Sequence, residues 1–270
     1  MQQKKCIDDN SSVNNRENKD RQLFDTIAER YCKKDMNISA IIARRHRLLQ
    51  TFRFLPKISD PVLLEVGCGC GFAAKYLKGY YSHYVGIDYS KNLISFANKN
   101  NSFCNTEFIP INIKDYYNPQ GFDIIFMIGV LHHIDHLEVS FSQIIKMLKP
   151  GGWFVANEPQ SANKIVQTMR KVRSAIDPGY SSDQTIFSES ELTKLYCNAS
   201  LQNIKIVPQG VFSTPFAEVI FKPDFISKSL SKFSVALDRN FERRFGNNLL
   251  PVSWNLIAIG QRPYEDAMDE

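Results

Sequence analysis

The stretch Leu63-Leu64-Glu65-Val66-Gly67-Cys68-Gly69-Cys70-Gly71 constrains this chain more than any other. An apolar run ends in an acid, and three glycines follow at alternate positions. Glycine adopts left-handed backbone freely and lets a ligand approach bare peptide, so the pattern predicts a tight strand-to-helix turn. A second apolar run, His83-Tyr84-Val85-Gly86-Ile87, ends in Asp88 about 20 residues on. A carboxylate at that strand end can accept two hydrogen bonds from a ribose diol. Glycine turn and acid together are what a nucleoside-binding α/β domain needs.

The details narrow the ligand. A dinucleotide loop, G-x-G-x-x-G, would carry its last glycine where this chain has Phe72, and would bring a pyrophosphate to the helix N-terminus. Glu65 beside the loop suits a cationic ligand end instead. S-adenosylmethionine has an ammonium, a sulfonium and a ribose, and no phosphate. The segment resembles the first motif of the class I S-adenosylmethionine-dependent methyltransferases. Three further segments resemble that family in order. Val85-Gly86-Ile87-Asp88-Tyr89-Ser90 is similar to its second strand with the ribose-binding acid. Phe122-Asp123-Ile124-Ile125-Phe126-Met127-Ile128-Gly129-Val130-Leu131-His132-His133 is similar to its fourth strand and following loop, and Leu148-Lys149-Pro150-Gly151-Gly152-Trp153-Phe154-Val155 to its Pro-Gly-Gly turn.

The chain has 270 residues, 43% of them hydrophobic, enough for one large α/β domain with an appendage. Its net charge of +5 comes from dispersed Lys and Arg, so charge alone does not argue for nucleic acid. No apolar core follows a basic start, so no signal peptide is expected. No apolar run reaches the roughly 18 residues of a membrane span. The six cysteines are scattered. Cys68 and Cys70 alternate and point apart, which rules against a disulfide between them. No second Cys/His pair at ligand spacing accompanies them, and His132-His133-x-x-His136 does not supply one, so no metal is expected. Reduced cytoplasmic thiols are the simplest reading.

Residues 1–20, rich in Asn, Ser, Asp and Lys, read as a disordered tail. Residues 21–56 read as an N-terminal helical cap: Leu23, Phe24, Ile27, Ala28 and Tyr31 recur at helical spacing, and a second helix is predicted over 39–54. The domain proper is expected over 57–270. Strands are predicted at 62–66, 83–88, 106–110, 122–128 and 153–157, and helices at 71–78, 90–100, 137–148 and 161–175. That alternation implies a parallel sheet with helices on both faces. A loop is expected after Asp177-Pro178-Gly179, then a helix opened by the capping-box spacing of Ser188 and Glu191. Strands at 201–207 and 253–260 are implied by the resemblance to form an antiparallel pair. The fold class is thus α/β: a three-layer, Rossmann-like, seven-stranded, mostly parallel sheet with an antiparallel edge strand, an N-terminal helical cap and a C-terminal helical insert.

That insert, 212–250, has Ile226, Leu230, Phe233, Leu237, Phe241 and Phe245 stepping by three and four, with Lys228, Lys232, Arg239, Arg243 and Arg244 off the stripe. The first expectation is a helix packed on the core by that stripe. A lid over an apolar substrate and a membrane-surface helix are the other readings.

Methyl transfer from a sulfonium is an in-line displacement, so the protein mainly positions the reactants. Expected cofactor-binding residues are Glu65, Gly67, Cys68, Gly69, Gly71 and Asp88. Tyr89 follows as a packing surface for the adenine. The resemblance implies Asn112 near the adenine amine, although its neighbours Ile111 and Ile113 depart from the family's usual small residues. It implies Ile128 and Gly129 along the methionine part, and Tyr31 as the aromatic that helps close the pocket. His132 and His133 face the expected transfer zone as candidate bases. Glu158 is a candidate substrate contact or cap. The expected activity is methyl transfer from S-adenosylmethionine, with S-adenosylhomocysteine as product, to a small, apolar or lipid-linked acceptor. No nucleic acid partner is expected, and peripheral membrane contact is compatible with the insert. The rival readings are an RNA or protein methyltransferase and a catalytically silent cofactor-binding scaffold. The acceptor, the methylated atom and the oligomeric state do not follow from the cofactor motifs.

Overall fold

The computed structural model describes residues 9–101, 103–176, 186–219 and 222–264. Residues 1–8 of the expected tail and the Asp177-Pro178-Gly179 loop lie outside them. Strands β1 (Val62–Val66), β2 (His83–Asp88), β3 (Thr106–Pro110), β4 (Phe122–Ile128), β5 (Leu148–Pro159), β6 (Gln202–Gln209) and β7 (Asn255–Gln261) form one sheet, in the order β3-β2-β1-β4-β5-β7-β6. β1 to β5 pair in parallel, and β7 runs antiparallel to both β5 and β6. This is the expected seven-stranded, mostly parallel α/β sheet. β7 lies between β5 and the edge strand β6.

The central strands are apolar at consecutive positions because neither face is wet. Ile124, Ile125, Phe126 and Met127 are all fully buried. Alternate side chains then feed opposite cores. Leu64, Ile125 and Met127 pack with residues of α5 (Leu137–Lys146) and α7 (Glu189–Asn198), among them Phe141 and Tyr196. Leu63, Ile124 and Phe126 pack with residues of α2 (Ile38–Phe52), α3 (Phe72–Tyr76) and α4 (Lys91–Asn100). Both halves of the Ser188–Glu191 capping box are formed at the start of α7. The parallel register carries the ends of β1, β2 and β4 to one edge, where such sheets bind ligands.

Three expectations are corrected. Helix α1 spans Asp9–Asp35, so residues 9–20 are helical and not an unstructured tail. Composition hid this because the contact of Asp20 is polar: it is buried against His133, and farther along α1 Asp25 accepts a 2.6 Å bond from Ser90 Oγ. Second, Cys32 and Cys70 are joined as a disulfide, with Cα atoms 6.0 Å apart. Helix α1 lies across the glycine loop and brings together two cysteines 38 residues apart, a contact that local spacing does not reveal. The reading of reduced thiols therefore fails for this pair, and a cytoplasmic location loses that argument.

Third, the insert packs by only part of its apolar stripe: Leu237 and Phe241 are half-buried, Phe241 edge-on to Phe212 at 5.1 Å. It forms α8 (Thr214–Glu218) and α9 (Asp224–Phe245), and α9 buries Ser227, Ser231, Val235 and Asp238. Ile226, Leu230 and Phe233 are exposed. The rotation of α9 is fixed by Asp238. Its Oδ1 accepts from Val211 N and Phe212 N, and its Oδ2 from Ser213 N and Ser213 Oγ. Four hydrogen bonds to one buried carboxylate are of the same order as the transfer energy of three apolar side chains, and rolling the helix over would also leave the donors at residues 211–213 without that acceptor.

Candidate active site

The loop after β1 turns on Gly67, Gly69 and Gly71, with φ of +72°, +52° and +74°. These are left-handed values that other residues adopt at a cost. At Gly67 space is also short, since an added Cβ would lie 2.5 Å from a methyl of Val130. Gly67 N and Cys68 N donate to Ile87 O, which hangs the loop on the end of β2. Gly69 N donates to Asp88 Oδ2 at 3.0 Å and Ser90 N to Asp88 Oδ1 at 2.9 Å. Burial pushes the Asp88 carboxyl up to about 6, against the pull of those two N–H groups.

Gly67, Asp88, Tyr89, Asn112 and His133 line a single cavity at this edge, together with Val130 and Lys114. The other expected residues sit elsewhere. Gly69 lies under the Tyr31 ring, which is 4.0 Å from its Cβ position. Tyr31 meets Phe24 edge-on at 6.0 Å, with the Arg44 guanidinium 5.7 Å from its ring centre. Gly71 backs onto Asn101 and Phe108. Cys68 is turned into the core against Gly86, where burial raises its thiol well above the usual value. Ile128 packs against the α2 side of the core, and Gly129 lies beneath Arg47.

Glu65 departs most from expectation. Its carboxyl is buried, outside the cavity lining, and accepts from the Tyr84 hydroxyl. Burial pushes it up to about 8, so near neutral pH it is an uncharged acid and no carboxylate facing a cationic ligand end. Its folded value stands above the ordinary 4.5, so its stabilising contribution is complete at low pH and is lost as pH rises through about 8. Glu65→Gln mimics the neutral acid. Wild type is expected to lose about 1 kcal/mol more than this variant between about pH 7 and about pH 9. Urea melts at the two pH values measure it, and equal losses would refute the assignment.

The two histidines separate. His132 is buried and donates from Nδ1 to Glu158 Oε2 at 2.7 Å. Burial, then the neighbouring His133, lowers its pKa. Glu158 also accepts from Val130 N and Leu131 N, at 2.8 and 2.9 Å, so it caps the turn after β4. Of the pair, His133 is the one that lines the cavity, with Nδ1 3.2 Å from Asp20 Oδ2 and Phe24 edge-on at 5.7 Å. Sequence reasoning missed Asp20, inside the supposed tail. It also missed Arg47, whose Nε and Nη2 each donate to Asn157 at 2.8 Å. Its signal was the cluster Arg44, Arg45 and Arg47 within the second predicted helix.

Away from this edge, ligand atoms of His46, Asp238 and Glu242 lie within 4.8 Å of one another. The four bonds already made by Asp238 occupy its lone pairs, so its role there is to anchor α9.

Residues 64–156 match a methyltransferase-domain family. The chain is 27% identical over 116 residues to the fatty-acid O-methyltransferase of Mycolicibacterium smegmatis, covering 42% of each protein. It is 34% identical over 103 residues to the juvenile hormone acid O-methyltransferase of Bombyx mori, covering 36% of this chain and 37% of that one. Residues 64–156 carry a methyltransferase domain. Among solved structures, a S-adenosylmethionine-dependent methyltransferase of Thermotoga maritima superposes with a TM-score of 0.63 at 16% identity, covering 90% of this chain and 99% of that one. That likeness extends the methyltransferase fold beyond the matched segment to the cap and the last strands. The sequence matches span less than half the length of either curated relative.

Proposed function

We propose that the protein transfers a methyl group from S-adenosylmethionine to the oxygen of a small apolar acid. The observation that carries the cofactor part is the convergence of Gly67, Asp88, Tyr89 and Asn112 on one cavity. Asp88 fits the cofactor ribose. A carboxylate offers roughly four lone-pair sites, and Gly69 N and Ser90 N take one on each oxygen, which leaves acceptors for a diol. Tyr89 and Asn112 would border the adenine, and the Gly67–Gly69 backbone the methionine part. When bound, the cofactor supplies a methyl group already activated by its sulfonium. The residues then have to orient an acceptor and exclude water.

The acceptor reading rests on charge. Arg47 stands 3.7 Å from the Cβ position of Gly129 at the end of β4. From α6 (Lys164–Ile176), Arg170 is near enough to His132 to oppose its protonation. Both histidines are engaged by carboxylates. Cations beside histidines that are already engaged suit a nucleophile that arrives ionised, and a carboxylate needs no base. The names of two relatives, a fatty-acid and a hormone-acid O-methyltransferase, point the same way.

The experiment incubates the chain with methyl-labelled cofactor and panels of long-chain carboxylic acids, phenols, amines and RNA. Expected is label in an organic-soluble product that mild alkali releases as methanol, the behaviour of a methyl ester. Alkali-stable label, or label in RNA or protein, would overturn the acceptor reading. Cofactor binding without turnover on any panel would support a silent scaffold.

A further inference from the structure

In its first half, helix α9 turns small side chains inward and large ones outward, whereas farther on Val235 is buried and Phe241 packs on Phe212. Ser227 and Ser231 are buried, and Ser231 Oγ donates to Ser39 O of α2 at 2.9 Å. On the outside, Phe225 is 72% exposed, Phe233 62%, Leu230 50% and Ile226 46%. Ile226, Leu230 and Phe233 fall on one face at i, i+4 and i+7. Single exposed apolar residues need no explanation, but a contiguous row of large ones marks an interaction surface.

The charges around the row say what covers it. Lys228, Lys232 and Arg239 form a second exposed row on the same helix, and Lys222 precedes its first turn. Of the acids on α9, Asp238 is buried and Glu242 accepts from Gly210 N, which leaves Asp224 at the first turn. Asp224 Oδ1 lies 3.4 Å from Asn37 Nδ2, between α1 and α2, and Met36 beside it is 55% exposed. The row therefore begins next to the helix that covers the glycine loop. A second copy docked through this face by a two-fold axis would set lysine rows against each other. No helix among the described residues is long and apolar enough to cross a membrane, so contact with a bilayer would be in its plane.

We propose that this face of α9 docks on an anionic lipid surface, with Phe225, Ile226, Leu230 and Phe233 entering the acyl boundary and Lys228, Lys232 and Arg239 meeting the headgroups. The proposal is independent of which acceptor is methylated.

The test is sedimentation of the full chain with vesicles of phosphatidylcholine alone, or of equal parts phosphatidylcholine and phosphatidylglycerol. Expected is pelleting with the anionic vesicles only, weakened by salt. Lys228→Glu with Lys232→Glu should lower the partition coefficient about tenfold or more, and Phe225→Ser with Phe233→Ser at least as much. These side chains are exposed, so both variants should fold, and unchanged S-adenosylhomocysteine affinity would show it. Equal pelleting of wild type and the Phe variant would overturn the proposal, as would no partition of wild type. A dimer in light scattering that the Phe variant converts to monomer would also overturn it, in favour of self-association.

Discussion

Asp88→Ala is expected to weaken S-adenosylhomocysteine binding about a hundredfold or more, because one carboxylate does two jobs. It would take the ribose hydroxyls, and hydrogen bonds to a charged acceptor contribute about 1.5–3 kcal/mol each. It also fixes Gly69 N and Ser90 N, and so holds both sides of the cradle. The pH dependence separates this from a general loss of structure. Burial raises the Asp88 carboxyl to about 6, above its ordinary 3.8. In the free protein its contribution to stability is therefore present at low pH and is lost as pH rises through about 6. A diol prefers the ionised form, so ligand affinity runs the other way. It should tighten as pH rises through about 6 and level off above. Calorimetric titration from about pH 5 to about pH 8 should show that step in wild type and not in Asp88→Ala. Wild type with a flat profile, or a variant that binds as well as wild type, would remove Asp88 from the site.

What was legible in the sequence follows from the range of the interaction that decides each feature. β1, β2 and β4 match their predicted ranges because buried parallel strands declare themselves by local apolar runs. Gly67 and Asp88 were legible because a tight turn and a strand-end acid are also local. Three features were not, and each depends on a distant partner. Helix α1 between Asp9 and Asp20 is polar, and Asp20 finds His133 more than a hundred residues away. The Cys32–Cys70 bond needs that helix laid across the loop. The orientation of α9 was misjudged because apolar periodicity gives a stripe but not what faces it. The four donors at residues 211–213 that capture Asp238 chose the buried face. Glu65 shows the same limit in chemistry. Its place in the motif suggested a charged ligand contact, yet Tyr84, from the neighbouring strand, closes over it. Local pattern thus located the cavity edge of the sheet, and long-range polar contacts decided which side chains line it.

Glu158→Ala is expected to destabilise the fold by about 4 kcal/mol, since it removes the acceptor on which the turn after β4 hangs. Glu158 is fully buried and accepts from Val130 N, Leu131 N and His132 Nδ1. Alanine would leave three donors in a dry site. Glu158→Gln keeps an acceptor for the two backbone N–H groups, and a change of His132 tautomer could satisfy the new amide, so about 1–2 kcal/mol is expected. Although burial pushes the Glu158 carboxyl upward, the bond from His132 and the two backbone donors bring it below its ordinary value. A depressed carboxyl contributes stability that is present above its unfolded value and is lost as pH falls through the folded one. His132, lowered chiefly by burial, adds a loss in the same direction, because below its ordinary value of 6.5 protonation favours the unfolded chain. In Glu158→Ala the carboxylate loss disappears, while His132, no longer held up by Glu158, loses more, so the variant should fall more steeply than wild type just below 6.5 and less steeply in the carboxylate range. The damage should reach the cavity as well. Val130 lines the cavity and crowds the Cβ position of Gly67, so a turn that drifts off Glu158 loosens one wall. Urea melts across pH, paired with S-adenosylhomocysteine titration, measure both effects. A variant that melts like wild type would mean that the turn is held by the strand-end bond from Gly129 N to Asn157 O and that Glu158 is free for substrate.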